Sequence, residues 1–288
     1  MPEQPCAFHP TRTTGVTCTR CERPICPEDM LPAPVGFLCP VCSGKMREGA
    51  LGHAGYRVRA RAERWPLLRM LTGAEATSVI IGANVLVFVL MVLTGAPTSP
   101  QTLYDFGALP GLLPASQWWR LLTATFVHIG LLHIVFNMFA LTIFGGAIEH
   151  RYGKARFIAL YLGSGVLGSA SSLAFSNATL SAGASGAIYG IFGAWLALAI
   201  RHRSSPAMGG QIRSWVFLIG INLMFSRATP GIDMWAHVGG LVGGFVIGIS
   251  MELATHVKGR ARLPLSAAGF VAVAVAAYVL ASANFVRA

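Results

Sequence analysis

A serine and a histidine stand out by where they fall. Ser185 lies in Gly183-Ala184-Ser185-Gly186-Ala187 and His237 in Ala236-His237-Val238-Gly239-Gly240, each at the start of a separate apolar stretch of membrane length. Polar side chains within a bilayer are costly and mark functional positions. A serine hydroxyl becomes nucleophilic when a neutral imidazole can take its proton. The pair therefore fits hydrolysis carried out inside a membrane. His133 and Asn137 are four residues apart, as are Ser185 and Tyr189, so each couple shares a helix face, and His128 stands just upstream.

Each of these residues also has an ordinary explanation. Ser185 fits a ridge of small packing residues, and His237 fits the lining of a proton or ion path. His133 with Asn137 fits an interhelical hydrogen-bonding pair, and Tyr189 fits simple packing. The Gly183–Ala187 segment mimics a nucleophile elbow, but it lacks the final glycine and no strand precedes it, so the soluble hydrolase motif does not apply. Convergence of three helices on one depth is the stronger signal.

The elements that must bring these groups together follow from composition. With 54% hydrophobic and only 11% charged residues, the chain lies outside the soluble globular range. Residues 76–104, 121–148, 157–200, 234–251 and 263–286 carry no Asp, Glu, Lys or Arg. About 20 apolar residues cross a bilayer core as a helix, and the stretch 157–200 is long enough for two spans with a turn at Ser176-Asn177-Ala178-Thr179. Residues 214–226 form a shorter run whose flanking Arg213 and Arg227 can snorkel to the interfaces. Seven helices are predicted, over 77–94, 128–149, 155–175, 183–201, 211–228, 232–252 and 262–285. Without the fifth, Ser185 and His237 would fall on opposite sides of the membrane.

The net charge of +11 is distributed by topology. Arg57, Arg59, Arg61, Arg64 and Arg69 precede the first span, and Arg151, Lys154 and Arg156 follow the second. Arg201, Arg203 and Arg213 surround the fourth-to-fifth connection, and Lys258, Arg260 and Arg262 follow the sixth. This bias predicts a cytoplasmic N-terminus in the plasma membrane of a bacterium. It explains the basic excess through topology and anionic lipid rather than nucleic acid, which is not expected as a partner. The second, fourth and sixth helices then all run inward, placing His128, His133, Asn137, Ser185 and His237 near the outer face. Gly186 and Gly190, and Ala236, Gly240, Gly244 and Gly248, form small-residue ridges that let helices four and six approach closely. The first 50 residues lack the apolar core of a signal peptide.

All six cysteines fall in residues 6–42, as Cys6-x2-His9, Cys18-x2-Cys21, Cys26-x2-Asp29 and Cys39-x2-Cys42. Cys18, Cys21, Cys39 and Cys42 alone fit a zinc-ribbon spacing. An interleaved arrangement puts Cys6, His9, Cys26 and Asp29 on one zinc and the other four on a second, resembling the cross-brace of B-box-type zinc fingers. A single zinc, or His53 in place of Asp29, remains open. The rival is an extracellular disulfide knot, but the arginine bias puts this segment in a reducing compartment, where cysteines bind metal. Some 45 residues bury little core, so metal would supply much of the folding energy, and eight protein ligands leave no open coordination position. Residues 1–47 thus read as a zinc-binding module able to dock a cytoplasmic protein, and 48–75 as a basic linker or interfacial segment.

Gly-x-Ser-Gly-Ala, Ala-His-x-Gly-Gly and His-x3-Asn together resemble the rhomboid intramembrane serine proteases. Trp119-Arg120 and Glu149-x2-Tyr152-Gly153 match further features of that family. The resemblance covers residues 76–252, and residues 253–288 with the seventh helix suggest its six-plus-one form. The fold it implies is an all-α, polytopic rhomboid-like bundle of seven transmembrane helices, preceded here by the small zinc-stabilised domain. It implies a Ser185–His237 dyad without a third acid, Asp233 being the one carboxylate near that depth. It further implies an oxyanion pocket from His133, Asn137 and the Ser185 N–H, with His128, Tyr189 and Gly183 in support and no catalytic cofactor. Its substrates would be transmembrane proteins cut near their outer ends. Two rivals are a rhomboid-like protein that binds membrane clients without cutting them and a histidine-relay transporter.

Overall fold

The computed structural model describes residues 4–33, 36–45, 74–203, 206–229, 231–255, 257 and 262–286. It divides between residues 69 and 70 into two units. Of the linker expected over 48–75, residues 48–73 lie outside the described residues, and with them His53 and the five arginines before the first helix; so do Lys258 and Arg260.

Among its described residues the first unit has little regular structure. Gln4–Pro5 pairs antiparallel with Thr13–Thr14, and Leu31–Pro32 pairs with Phe37–Leu38. Its apolar centre is small, built from Cys18, Ile25 and Cys39 with Phe8, Met30, Leu38 and Val41 against them.

The second unit carries seven long helices among the described residues. They are α1 (Glu75–Thr94), α2 (Gly130–Tyr152), α3 (Lys154–Phe175), α4 (Ser185–Arg201), α5 (Pro206–Ala228), α6 (Met234–Thr255) and α7 (Arg262–Asn284). All seven expected helices are present. Five of them, α1, α2, α3, α6 and α7, are long and apolar enough to cross a membrane. α4 is shorter, at 17 residues, about 26 Å at 1.5 Å per residue. Exposed Val79, Leu86, Leu93, Phe136, Phe217 and Met224 give the outer helix faces an apolar surface suited to lipid.

The boundaries differ from expectation in one consequential place. α2 starts at Gly130, which adopts φ +78°, so His128 lies on the extended segment before the helix rather than within it. Residues Leu141–Gly145 form a π-helical turn inside α2.

Helix α6 packs most extensively against α4, and also against α3 and α7. The reason is the small-residue ridge. A Cβ on Gly240 would collide with the carbonyl of Gly186, and one on Gly244 with the carbonyl of Gly190. A Cβ on Gly168 of α3 would stand 2.7 Å from the carbonyl of Ala236. Three backbones therefore touch with no side chain between them.

Polar ties finish the bundle. The buried Glu149 of α2 accepts from the N–H groups of Ala76 (2.9 Å) and Thr77 (2.8 Å) and from the Thr77 hydroxyl (2.8 Å). It thereby satisfies the open N-terminus of α1 across more than 70 residues of sequence. The fully buried Glu252 of α6 accepts from Tyr152 (2.7 Å) and Arg151 (3.1 Å) of α2, and its other oxygen meets His202 Nε2 after α4 (2.9 Å). The C-terminal ends of α2, α4 and α6 are thus pinned to one carboxylate, which requires the three helices to run in the same direction.

The segment between α1 and α2 is held by Arg120. Its buried guanidinium donates to Gln117 (2.7 Å) and to the carbonyls of Tyr104 (2.6 Å) and Ala108 (3.0 Å), and lies 3.9 Å from the Tyr104 ring centre. Leu109–Pro110 then pairs antiparallel with Leu180–Ser181, joining this segment to the α3–α4 connection.

Backbone contact at the glycine ridge predicts a specific sensitivity. Gly240→Val and Gly244→Val should lower the melting temperature in detergent by many degrees and abolish any reactivity of Ser185. Gly82→Ala, where an added Cβ meets nothing within 4 Å, should leave both unchanged. Thermal unfolding of the three variants checks this.

Candidate functional site

A cavity of 750 Å³ opens among the N-terminal ends of α2, α4 and α6, and Ser185, His237, His133, Asn137, Tyr189 and Ser226 contribute to its wall. Ser185 is the first residue of α4, where the leading N–H groups of a helix have no partner within it. His237 lies one turn into α6. Its Nε2 is 2.8 Å from Ser185 Oγ, and its ring stacks on Tyr189 with centroids 4.3 Å apart and planes 12° from parallel. His237 is only 7% exposed, so the hydroxyl and imidazole meet in a site largely closed to bulk solvent.

The two other histidines are oriented by backbone groups. His133 Nδ1 accepts the N–H of Ile129 (3.3 Å), so the neutral ring carries its proton on Nε2. That nitrogen faces Gly183: a Cβ there would sit 2.7 and 2.8 Å from His133 Cε1 and Nε2, and 3.7 Å from Ser185 Oγ. Gly183 also has φ +132°, a conformation other residues avoid. The His133 N–H is consequently aimed into the space beside the serine hydroxyl. His128 is fully buried; its Nδ1 donates to the Phe126 carbonyl (3.4 Å) and its Nε2 accepts the Ala184 N–H (3.4 Å). It thus braces the residue before Ser185 instead of facing the cavity. Asn137 spends one amide hydrogen on the His133 carbonyl (3.1 Å) and lines the cavity with the rest of the group.

The acid nearest in sequence to His237 is occupied elsewhere. Asp233 Oδ1 accepts the N–H groups of Trp235 and Ala236, both at 3.1 Å, as an N-cap of α6, and its Oδ2 accepts the Ser172 hydroxyl. The second imidazole nitrogen of His237 instead meets Ser226 Oγ of α5 at 2.9 Å. Sequence reasoning missed this contact, because a serine among apolar residues of a helix carries no distinguishing spacing.

A profile of the rhomboid domain matches residues 115–252 of this chain. The putative rhomboid protease YdcA of Bacillus subtilis (strain 168) is 33% identical over 145 residues, half of this chain and 70% of YdcA. The chain belongs to the rhomboid family. The rhomboid protease GluP of the same organism is 41% identical over 180 residues, 62% of this chain and 35% of GluP. The mitochondrial RHOMBOID-like protein 6 of Arabidopsis thaliana is 39% identical over 153 residues, 52% of this chain and 50% of that protein. The chain therefore spans only a third of GluP and half of the plant protein. Rhomboid membership together with its long apolar helices makes this an integral membrane protein.

The rhomboid match begins downstream of the cysteine-rich unit, which has a site of its own. Cys18, Cys21, Cys39 and Cys42 form one group and Cys6, His9, Cys26 and Asp29 another, with the candidate ligand atoms of each group within 4.8 Å of one another. None of the six cysteines is in a disulfide. Asp29 is fully buried. Its Oδ2 lies 3.0 Å from Cys6 Sγ, 2.9 Å from His9 Nδ1 and 3.2 Å from Cys26 Sγ, while its Oδ1 has no hydrogen-bond partner. A buried carboxylate crowded by two thiols, with one oxygen unsatisfied, is what a bound cation would resolve.

The sulfur groups carry the same signature. Burial opposes ionisation of Cys18, yet the N–H groups of Cys39, Arg20 and Cys21 outweigh it and bring the thiol down to about 6. Hydrogen bonding to Cys21 pushes Cys42 up to about 12, and burial with the Asp29 contact pushes Cys26 up to about 11. Four thiols cannot all ionise unaided; a divalent ion would remove that conflict. Both donor sets fit a tetrahedral metal.

Placement of Gly183 against His133 predicts that Gly183→Ala slows labelling of Ser185 by a fluorophosphonate at least about tenfold, since the methyl displaces an aimed donor. Melting temperature should fall as well, because alanine is strained at φ +132°. Labelling at the native rate would show that His133 does not face the serine.

Proposed function

We propose that this protein is an intramembrane serine endopeptidase that cleaves transmembrane segments of other membrane proteins with a Ser185–His237 dyad. The observation that carries the reading is the 2.8 Å contact between Ser185 Oγ and His237 Nε2 inside a cavity of the helical bundle. Membership of a family whose relatives are named as proteases supports it.

The steps follow from the geometry. His237 Nε2 takes the Ser185 proton as Oγ attacks the scissile carbonyl carbon, giving a tetrahedral oxyanion. The Nε2–H of His133, the Asn137 amide and the Ser185 N–H stabilise that charge, each worth about 3 kcal/mol. The imidazolium then protonates the leaving amine, which departs with the C-terminal fragment and leaves an acyl-enzyme on Oγ. Water, deprotonated by the same nitrogen, attacks the ester carbonyl; the tetrahedral intermediate expels Oγ, which takes the proton back from the imidazolium, and the N-terminal fragment leaves as its carboxylic acid. Tyr189 holds the imidazole plane, and His128 and Gly183 hold the loop before the serine. No cofactor takes part.

A helical substrate hides its carbonyls in internal hydrogen bonds, so it must unwind locally to present one. Small residues at the cut and helix breakers beyond it are the expected preference. The arginine bias puts the N-terminus in the cytoplasm and the dyad near the outer face of a bacterial plasma membrane. Access from lipid would pass α5.

In this reading residues 76–252 are the proteolytic core and 253–288 supply the connection and seventh helix. Residues 1–47 form a module with two structural zinc ions, joined by the basic segment 48–75. The zinc module is a docking element for a cytoplasmic protein.

Two experiments test these assignments. Purified protein should cleave a panel of membrane-spanning peptides, and Ser185→Ala or His237→Ala should abolish cleavage while preserving the melting temperature. His133→Ala and Asn137→Ala should each lower kcat by roughly 10²–10³-fold. Peptide binding without cleavage by the native protein would replace protease with client-binding protein. For the module, metal analysis should find two zinc ions per chain, matching the two ligand groups. Asp29→Ala should leave one, whereas Asp29→His should retain both. A count of two in Asp29→Ala would remove Asp29 from the ligand set.

A further inference from the structure

Ser226 is buried, at 5% exposure, on α5, a helix that turns Val216, Phe217, Ile221, Met224 and Phe225 outward. Its hydroxyl makes two short contacts, 2.8 Å to the carbonyl of Asn222 and 2.9 Å to His237 Nδ1. The Tyr189 hydroxyl, whose ring stacks on His237, also interacts with this serine.

Proton counting links the two bonds. A hydroxyl has one hydrogen and a carbonyl can only accept, so a Ser226 hydrogen placed on Asn222, as the 2.8 Å contact allows, turns the oxygen lone pairs toward His237. The contact with His237 is then a donation from Nδ1–H to a Ser226 lone pair. A neutral imidazole carries one proton, so Nε2 is left bare. The other tautomer would set an Nε2–H against the Ser185 hydroxyl and would draw the Ser226 hydrogen away from the Asn222 carbonyl to Nδ1. The carboxylate that commonly fills this role in soluble hydrolases is not offered here, because Asp233 is consumed by Trp235, Ala236 and Ser172.

We infer that Ser226 is a positioning residue, a neutral hydroxyl on α5 that holds His237 in the tautomer able to take the Ser185 proton. The inference rests on the dyad proposed above. Its effect belongs to the transition state. When Nε2 accepts the serine proton, Nδ1–H becomes a charged donor and its bond to Ser226 strengthens. Ser226 touches neither the attacking oxygen nor the oxyanion donors, so substrate affinity should not depend on it.

The test uses the full chain in detergent with a cleavable membrane-spanning peptide. Ser226→Ala should lower kcat about 10- to 100-fold, the equivalent of one hydrogen bond to a charged group. KM should stay within about twofold, and Ser226→Thr, which keeps the hydroxyl, should recover most of the rate. Nitrogen-15 spectra of histidine-labelled protein, with the His237 signals identified by their loss in His237→Ala, should show Nδ1 protonated in the native chain and a tautomer mixture in Ser226→Ala. Native kcat in Ser226→Ala, or an Nε2-protonated His237 in the native chain, overturns the inference; the latter holds whether or not the variant folds. A rate loss with an unchanged spectrum and no recovery in Ser226→Thr would mean packing alone, and overturns it too. Undiminished cleavage by Ser185→Ala would instead sink the dyad, a separable result.

Discussion

Contact between the α4 and α6 backbones is the constraint on which the site depends. Gly186 and Gly190 on one helix meet Gly240 and Gly244 on the other with no room for a Cβ. An imidazole reaches only a few ångströms from its own backbone. Removing the side chains between the two helices brings Nε2 to 2.8 Å from Oγ. The adhesive force is van der Waals contact, because lipid offers no hydrophobic gain for joining apolar helices. A single methyl therefore disturbs both packing and site geometry.

Many polar groups of the bundle obey a second constraint, satisfaction from within. Two layers result. At the C-terminal ends of α2, α4 and α6, Glu252 gathers Arg151, Tyr152 and His202. At the N-terminal ends, His128, His133 and His237 each have ring nitrogens engaged by defined partners. One layer sets the direction and depth of the three helices, and the other uses that depth. Backbone groups fix the orientation of His128 and His133.

The cysteine-rich unit is governed by a different balance. Its apolar centre is a handful of residues, too few to offset the entropy of ordering the chain. Its buried polar groups make sense as ligands: Asp29 is enclosed with an unpartnered oxygen, burial with the Asp29 contact raises Cys26, and hydrogen bonding to Cys21 raises Cys42. The unit thus sets two groups of side chains that could hold a metal beside a small apolar centre, whereas the helical unit is joined by extensive packing.

Much was legible in the sequence. Charge-free stretches located seven helices, and the small-residue ridge named the pair that touches. Ser185, His237, His133, Asn137 and the two-residue cysteine spacings could all be singled out, because each signal is local: composition over a span, or spacing on one helix face. Tertiary structure alone decided which atoms meet across helices. That His128 braces Ala184, that Asp233 caps α6, that Glu252 ties three helix ends and that Ser226 meets Nδ1 of His237 all depend on helix rotation and interhelical distance. Those quantities are fixed by the packing of every side chain at once, so spacing along a single helix does not contain them.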